Sequence, residues 1–181
     1  VKAYRGRRPM LRVLQTSSSH EPFDVPYHHL QDKVLNAFAY TDACVGRFVD
    51  YLKRSGRWKR SLIILIPDHL GCYPADISEF KVERYQIPMI WLGGVVKAPY
   101  VVESYGSQHD FAATLLGQLG ISHASFIFSK DMLDSRAPHF AFFTYPDLWG
   151  MATEEQQMIY DNVAGKTVLY RGKRGCSAME K

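Results

Sequence analysis

The sequence predicts an α/β sandwich in which a mainly parallel central sheet is flanked by helices, with a small β-rich part at the C-terminal end. Three observations predict it. Residues 62–66 (LIILI) and 87–92 (IPMIWL) are apolar runs without polar alternation, the pattern of strands covered on both faces. Between residues 29 and 55 the apolar residues Val34, Leu35, Phe38, Val45, Phe48, Val49 and Leu52 recur at intervals of three and four, the stripe of an amphipathic helix. Helix, strand, strand and helix then follow in that order, which suits layers around a sheet rather than a bundle.

Composition sets the outer bounds. A chain of 181 residues, 46% hydrophobic and 22% charged, can bury a sizeable core, and it is neither disordered nor fibrous. Much of the net charge of +4 comes from the ends, in Lys2, Arg5, Arg7, Arg8 and Arg12 and in Arg171, Lys173 and Arg174. Basic ends can touch phosphate or a membrane surface, but these read rather as solvated tails, and no nucleic-acid partner is expected. No apolar run reaches the roughly 18 residues that span a bilayer. Cys44, Cys72 and Cys176 lack CxxC spacing and fix no redox compartment; Cys44 reads as a small core residue. The chain opens on Val1 with a basic segment lacking an element of its own, which reads as a piece of a longer protein.

In order, residues 11–14 are read as a short strand and residues 15–23 as a polar loop closed by Pro22. Asp42, on the apolar stripe of the first helix, is expected to be hydrogen-bonded, because a carboxylate on such a face needs a partner. Gly56 ends that helix, and Gly93-Gly94 stops the second buried strand. Ser107 and Asp110 have capping-box spacing and open a helix that runs to Leu119, where Gly120 closes it. Residues 126–128 and 140–145 are aromatic enough for strands, Trp149-Gly150-Met151 reads as a turn, and residues 168–170 as part of an edge hairpin.

Three constellations could carry chemistry. Asp68 and His69 follow directly on the buried run 62–66, so they fall at the carboxyl end of a strand, where ligands bind in open α/β sheets. A hard oxygen and an imidazole placed there point to a divalent metal; a loop cap beside an exposed histidine is the plainer alternative. Ser17-Ser18-Ser19-His20 is a poor nucleophile and base, because sequence neighbours on an extended loop point apart and no G-x-S-x-G elbow is present. His20 suits instead an N–H donor to an anionic substrate. In Ser107-Gln108-His109-Asp110 the caps alone account for the serine and aspartate, which leaves His109 a minor role at most.

In sequence order these pieces are Ser19-His20-Glu21-Pro22-Phe23; Tyr40-Thr41-Asp42 with Val45-Gly46-Arg47-Phe48; Leu52-Lys53-Arg54-Ser55-Gly56; Asp68-His69 with their strand; Ile87-Pro88-Met89-Ile90-Trp91; and Ser107-Gln108-His109-Asp110 with Ala113-Thr114-Leu115-Leu116. Over roughly residues 15–135 their order and spacing resemble the alkaline phosphatase and sulfatase superfamily, within it the lipoteichoic acid synthase-like branch of phosphoglycerol and phosphoethanolamine transferases. Leu70, where glycine is common, and Ala112-Ala113-Thr114, where proline precedes the threonine, depart from that pattern.

The resemblance implies an alkaline phosphatase-like core holding one divalent metal (Mn, Mg, Zn or Ca), with Asp68 and His69 as two ligands and His20 at the substrate headgroup. Residues 1–135 would be the C-terminal portion of the catalytic domain and residues 136–181 its β-rich extension. The threonine nucleophile and remaining ligands would lie upstream, outside this chain, so no catalytic nucleophile is assigned within it and the chain alone is expected to be inactive. The implied reaction moves phosphoglycerol or phosphoethanolamine from a phospholipid donor to a glycan or lipid acceptor of the cell envelope. It would take place on the periplasmic or extracellular side of a bacterial inner membrane, reached through a segment outside this chain. A sulfatase or phosphodiesterase on the same fold, and a non-catalytic binding module, are the alternatives.

Overall fold

The computed structural model describes residues 9–71 and 73–172. Two compact units emerge. One takes in the described residues through Leu62 together with Leu92–Val95, the other Ile63–Trp91 and the described residues from Val96 onward.

The first unit is built around helix α1, Lys33–Arg54. Asp32 caps it by accepting from the Leu35 amide at 2.9 Å, and Lys53 and Arg54 in the last turn complement the negative end of the helix dipole. The helix starts four residues after the expected 29 because Asp32 takes the extended cap conformation. The approach to it is held by Asn36, which is buried and bonds Leu30 through both its N–H₂ and its carbonyl oxygen, at 2.7 and 2.9 Å. Gly56, at φ 70°, reverses the chain after α1 as expected. Two expectations fail here. Residues 11–14 form no strand, and with Leu11, Val13 and Leu14 at least 65% exposed nothing rewards their pairing. Asp42 is exposed, so the stripe is narrower than its periodicity indicates and water solvates the carboxylate.

The two apolar runs become short strands, β1 (Ile63–Leu65) and β2 (Ile90–Leu92), hydrogen-bonded to each other. They are shorter than expected and only half-buried, with Ile90 52% exposed, because among the described residues neither has a second strand neighbour. Beyond β2 the backbone of Gly93-Gly94 lies against that of residues 58–62; Gly94 N–H donates to the Trp58 carbonyl at 3.0 Å.

In the second unit, a 3-10 turn (Gln108–Asp110) leads into α2 (Phe111–Gln118) through the expected capping box between Ser107 and Asp110. The β-rich C-terminal part is an antiparallel meander: β3 (Ala141–Tyr145), β4 (Leu148–Ala152), β5 (Gln156–Asp161) and β6 (Lys166–Gly172), each paired with the next. Trp149-Gly150-Met151 is therefore the middle of a strand, not a turn. The turn is Pro146-Asp147, with Asp147 at φ 65°, and Gly150 sits where it does because the Phe143 ring and the Met158 carbonyl fill the space a side chain would take. Strand β5 went unexpected: only the alternation of Met158 and Tyr160 with the buried Ile159 marks it. Residues 126–128 form turns instead of a strand, with Ile127 and Phe128 at least 80% exposed.

A second 3-10 turn, Val82–Tyr85, docks on the meander. The Tyr85 ring stacks on Phe143 at 4.1 Å, the Arg84 guanidinium lies 5.2 Å from the Tyr145 ring, and Arg171 on β6 bonds Glu83 at 2.7 Å. The Arg171 hydrogen bond holds the Glu83 carboxyl below its usual 4.5. A depressed carboxylate contributes stability above its unfolded value and loses it as pH falls through the folded one. Acidification from neutral pH to below 4.5 is therefore expected to narrow the stability gap between the parent and Arg171→Ala. The pair is surface-exposed, so the gap at neutral pH is at most about 1 kcal/mol. Urea unfolding of both proteins across that range checks it, and a gap that widens in acid would refute it.

Candidate functional site: a carboxylate and imidazole pair beyond strand β1

Asp68 and His69 sit in the turn beyond the carboxyl end of β1, with side chains 82% and 74% exposed. The His69 amide donates to Asp68 Oδ1 at 3.0 Å, which folds the carboxylate back over its neighbour. His69 Nε2 then lies 3.7 Å from Asp68 Oδ2. The other ring nitrogen, Nδ1, is 3.1 Å from the Leu70 carbonyl; donating there fixes the tautomer that leaves the Nε2 lone pair free. An imidazole nitrogen and a carboxylate oxygen thus converge on one small volume, at about the spacing of neighbouring ligands around an ion bound at ~2.1 Å.

The donor chemistry fits a divalent cation, since oxygen and imidazole ligands suit Zn, Mn or Mg. As a complete shell it falls short: among the described residues no three His, Cys, Asp or Glu side chains gather around one point. The pair fits a metal as part of a larger ligand set.

The turn is tied to the start of α2. Gln108 Nε2 donates to the Pro67 carbonyl at 2.8 Å and to the Asp68 carbonyl at 3.2 Å. Beneath Gln108 lies a buried polar hub. The Asp110 carboxylate is fully buried and accepts from the Ser107 amide at 2.7 Å, the Lys130 amide at 3.1 Å and the Lys130 ammonium. Lys130 is also held 4.0 Å from the centre of the Phe140 ring. Ser107 Oγ accepts from the Phe142 amide of β3 at 2.6 Å, and Thr114 Oγ1 donates to the Asp110 carbonyl while accepting from Met132 N–H. Among the described residues no buried side-chain polar atom lacks a partner.

His109 shares this turn, 44% exposed, with Nε2 3.6 Å from Asp110 Oδ1. His20 belongs to the first unit, in an exposed turn where its amide donates to the Ser17 carbonyl and its Nδ1 lies 3.0 Å from the Glu21 carbonyl. Sequence reasoning brought out Asp68, His69, His20 and His109 and passed over Gln108 and Lys130. The capping box was the available signal for Gln108, because it fixes the direction of the residue inside it; nothing local marks Lys130.

Comparison with known proteins bears on this arrangement. The family model described as Sulfatase matches residues 2–121. Phosphoglycerol transferase I of Xanthomonas axonopodis pv. citri is 28% identical over 148 residues, 74% of this chain and 20% of the relative. The protein of the same name from Xanthomonas campestris pv. campestris (strain ATCC 33913) is 30% identical over 107 residues, 58% of this chain. The chain thus spans about a fifth or less of the length of these curated relatives. A crystal structure of a protein in the alkaline phosphatase superfamily from Vibrio parahaemolyticus superposes with a TM-score of 0.70 at 24% identity, covering 84% of this chain and 38% of that one. The chain has an α/β fold of the alkaline phosphatase type with a β-rich C-terminal part, and it belongs to the sulfatase family.

Proposed function

We propose that this chain is the C-terminal part of a metal-dependent phosphotransferase that moves phosphoglycerol or phosphoethanolamine from a phospholipid to an envelope glycan or lipid. The observation that carries the reading is the convergence of Asp68 Oδ2 and His69 Nε2 at the end of β1. The relatives named phosphoglycerol transferase I support transfer as the reaction.

In this reading Asp68 and His69 hold one divalent ion together with ligands outside this chain. When bound, such an ion neutralises charge on the transferred phosphoryl group and favours the ionised nucleophile. The nucleophile, a threonine, also lies outside this chain. By donating Nδ1–H to the Leu70 carbonyl, His69 would keep the Nε2 lone pair available to such an ion. His20, with Nδ1 3.0 Å from the Glu21 carbonyl, is the residue proposed to contact the substrate headgroup through its other ring nitrogen. Among the described residues no helix is long and apolar enough to cross a membrane. The proposed reaction takes place on the outer side of a bacterial inner membrane.

The test uses the full-length protein and its Asp68→Ala/His69→Ala variant, with Zn²⁺ or Mn²⁺ titrated calorimetrically and headgroup release measured from vesicles of phosphatidylglycerol or phosphatidylethanolamine. Loss of two ligands is expected to weaken metal binding by more than the about 10–100-fold that a supporting residue costs, and to abolish release. Metal binding by the variant as tight as the parent's sinks the reading. The sulfatase-family match supports a second one, hydrolysis of a sulfate ester or phosphodiester. Turnover of an aryl sulfate without lipid headgroup transfer would establish it over the first. Metal binding with neither activity would favour a binding module.

A further inference from the structure

We propose that Gln108 is a positioning residue for the Asp68 and His69 donor pair, an inference that rests on reading those two residues as metal donors. Gln108 Nε2 reaches across 41 and 40 residues of sequence to the carbonyls of Pro67 and Asp68. These are the last peptide groups before the imidazole, so the fork fixes the backbone from which both donors project. The hydrogen bonds of the donor side chains run within their own turn, Asp68 to the His69 amide and His69 to the Leu70 carbonyl. They set the donors against each other but do not anchor the turn. Gln108 supplies that anchor.

The anchor has a rigid base. Its neighbours Ser107 and Asp110 are buried and locked by the capping box, by Lys130 and by the Phe142 amide. A donor at Gln108 is therefore held by the core of the unit although its own side chain is exposed. The residue type suits the task. One amide nitrogen carries two N–H groups, enough for two carbonyls, and it is neutral. An ammonium in the same place would repel a divalent cation, and a carboxylate would face two carbonyl oxygens with no proton to give.

Gln108→Met removes the donors at nearly constant volume, and Gln108→Ala repeats the test without a long side chain. In the full-length protein, calorimetric titration with Zn²⁺ is expected to show about 10–100-fold weaker binding in both. Melting in excess EDTA should stay at the parent's temperature, and the visible spectrum of bound Co²⁺ should change with ligand geometry. If both variants bind Zn²⁺ as tightly as the parent while Asp68→Ala/His69→Ala does not bind, the positioning role falls and the donor reading stands. If Asp68→Ala/His69→Ala binds as the parent does, both fall. A melting temperature in EDTA that drops in both Gln108 variants, with an unchanged Co²⁺ spectrum, makes Gln108 a folding residue and also overturns the proposal.

Discussion

Replacing Asp110 with alanine is expected to lower the unfolding free energy by about 3–5 kcal/mol, the cost of breaking a buried ion pair from one side. The carboxylate is fully buried, and its removal strands the amides of Ser107 and Lys130 and an ammonium whose side chain is only 13% exposed. The capping box goes with it, so the 3-10 turn that opens α2 loses its bond to the Ser107 amide. Urea unfolding measures the loss, and a value below about 1 kcal/mol, typical of an exposed pair, would refute the account. Adding Lys130→Met to Asp110→Ala should recover part of the deficit, since the orphaned charge is then gone.

The second large effect is expected at Gly93, for backbone reasons alone. Its φ of 135° lies where side-chain-bearing residues rarely go, and an added Cβ would come 2.0 Å from the Ser61 carbonyl oxygen. That obstacle is main chain and cannot rotate away. Gly93→Ala should cost about 2–5 kcal/mol, combining backbone strain with overpacking against a fixed neighbour. Gly56→Ala is the control: its φ of 70° is also positive, but nothing lies within 4 Å of the added methyl, so only the strain remains. Equal losses at the two positions in thermal unfolding would refute the role assigned to close packing.

Where periodicity or capping chemistry is local, the sequence could be read directly. The stripe of α1, the Ser107 and Asp110 box and the strand that delivers Asp68 and His69 all depend on residues within a few positions of each other. What depended on tertiary context was misread. Trp149-Gly150-Met151 looks like a turn because glycine favours turns, yet Gly150 is required by the ring of Phe143, its direct partner across the ladder on β3. Leu62 to Ile66 has the apolarity of a strand covered on both faces, but how covered it is depends on its neighbours, and among the described residues it has one. The same holds at the site. Chemistry-bearing residues announce themselves by type, whereas Gln108 is unremarkable until the fold brings it to carbonyls 40 residues earlier. Lys130, 20 residues beyond Asp110, is hidden for the same reason.

The two hydrogen bonds from Gln108 have a thermodynamic consequence. They join the donor turn to the 3-10 turn that opens α2, so in the proposed holoprotein neither end is independent of the other. Whatever affinity an ion gains because the donors are held in place must, by reciprocity, return as resistance of residues 107–110 to local opening. Ion occupancy and order at the head of that helix then become two measures of one equilibrium, coupled through a single side-chain amide.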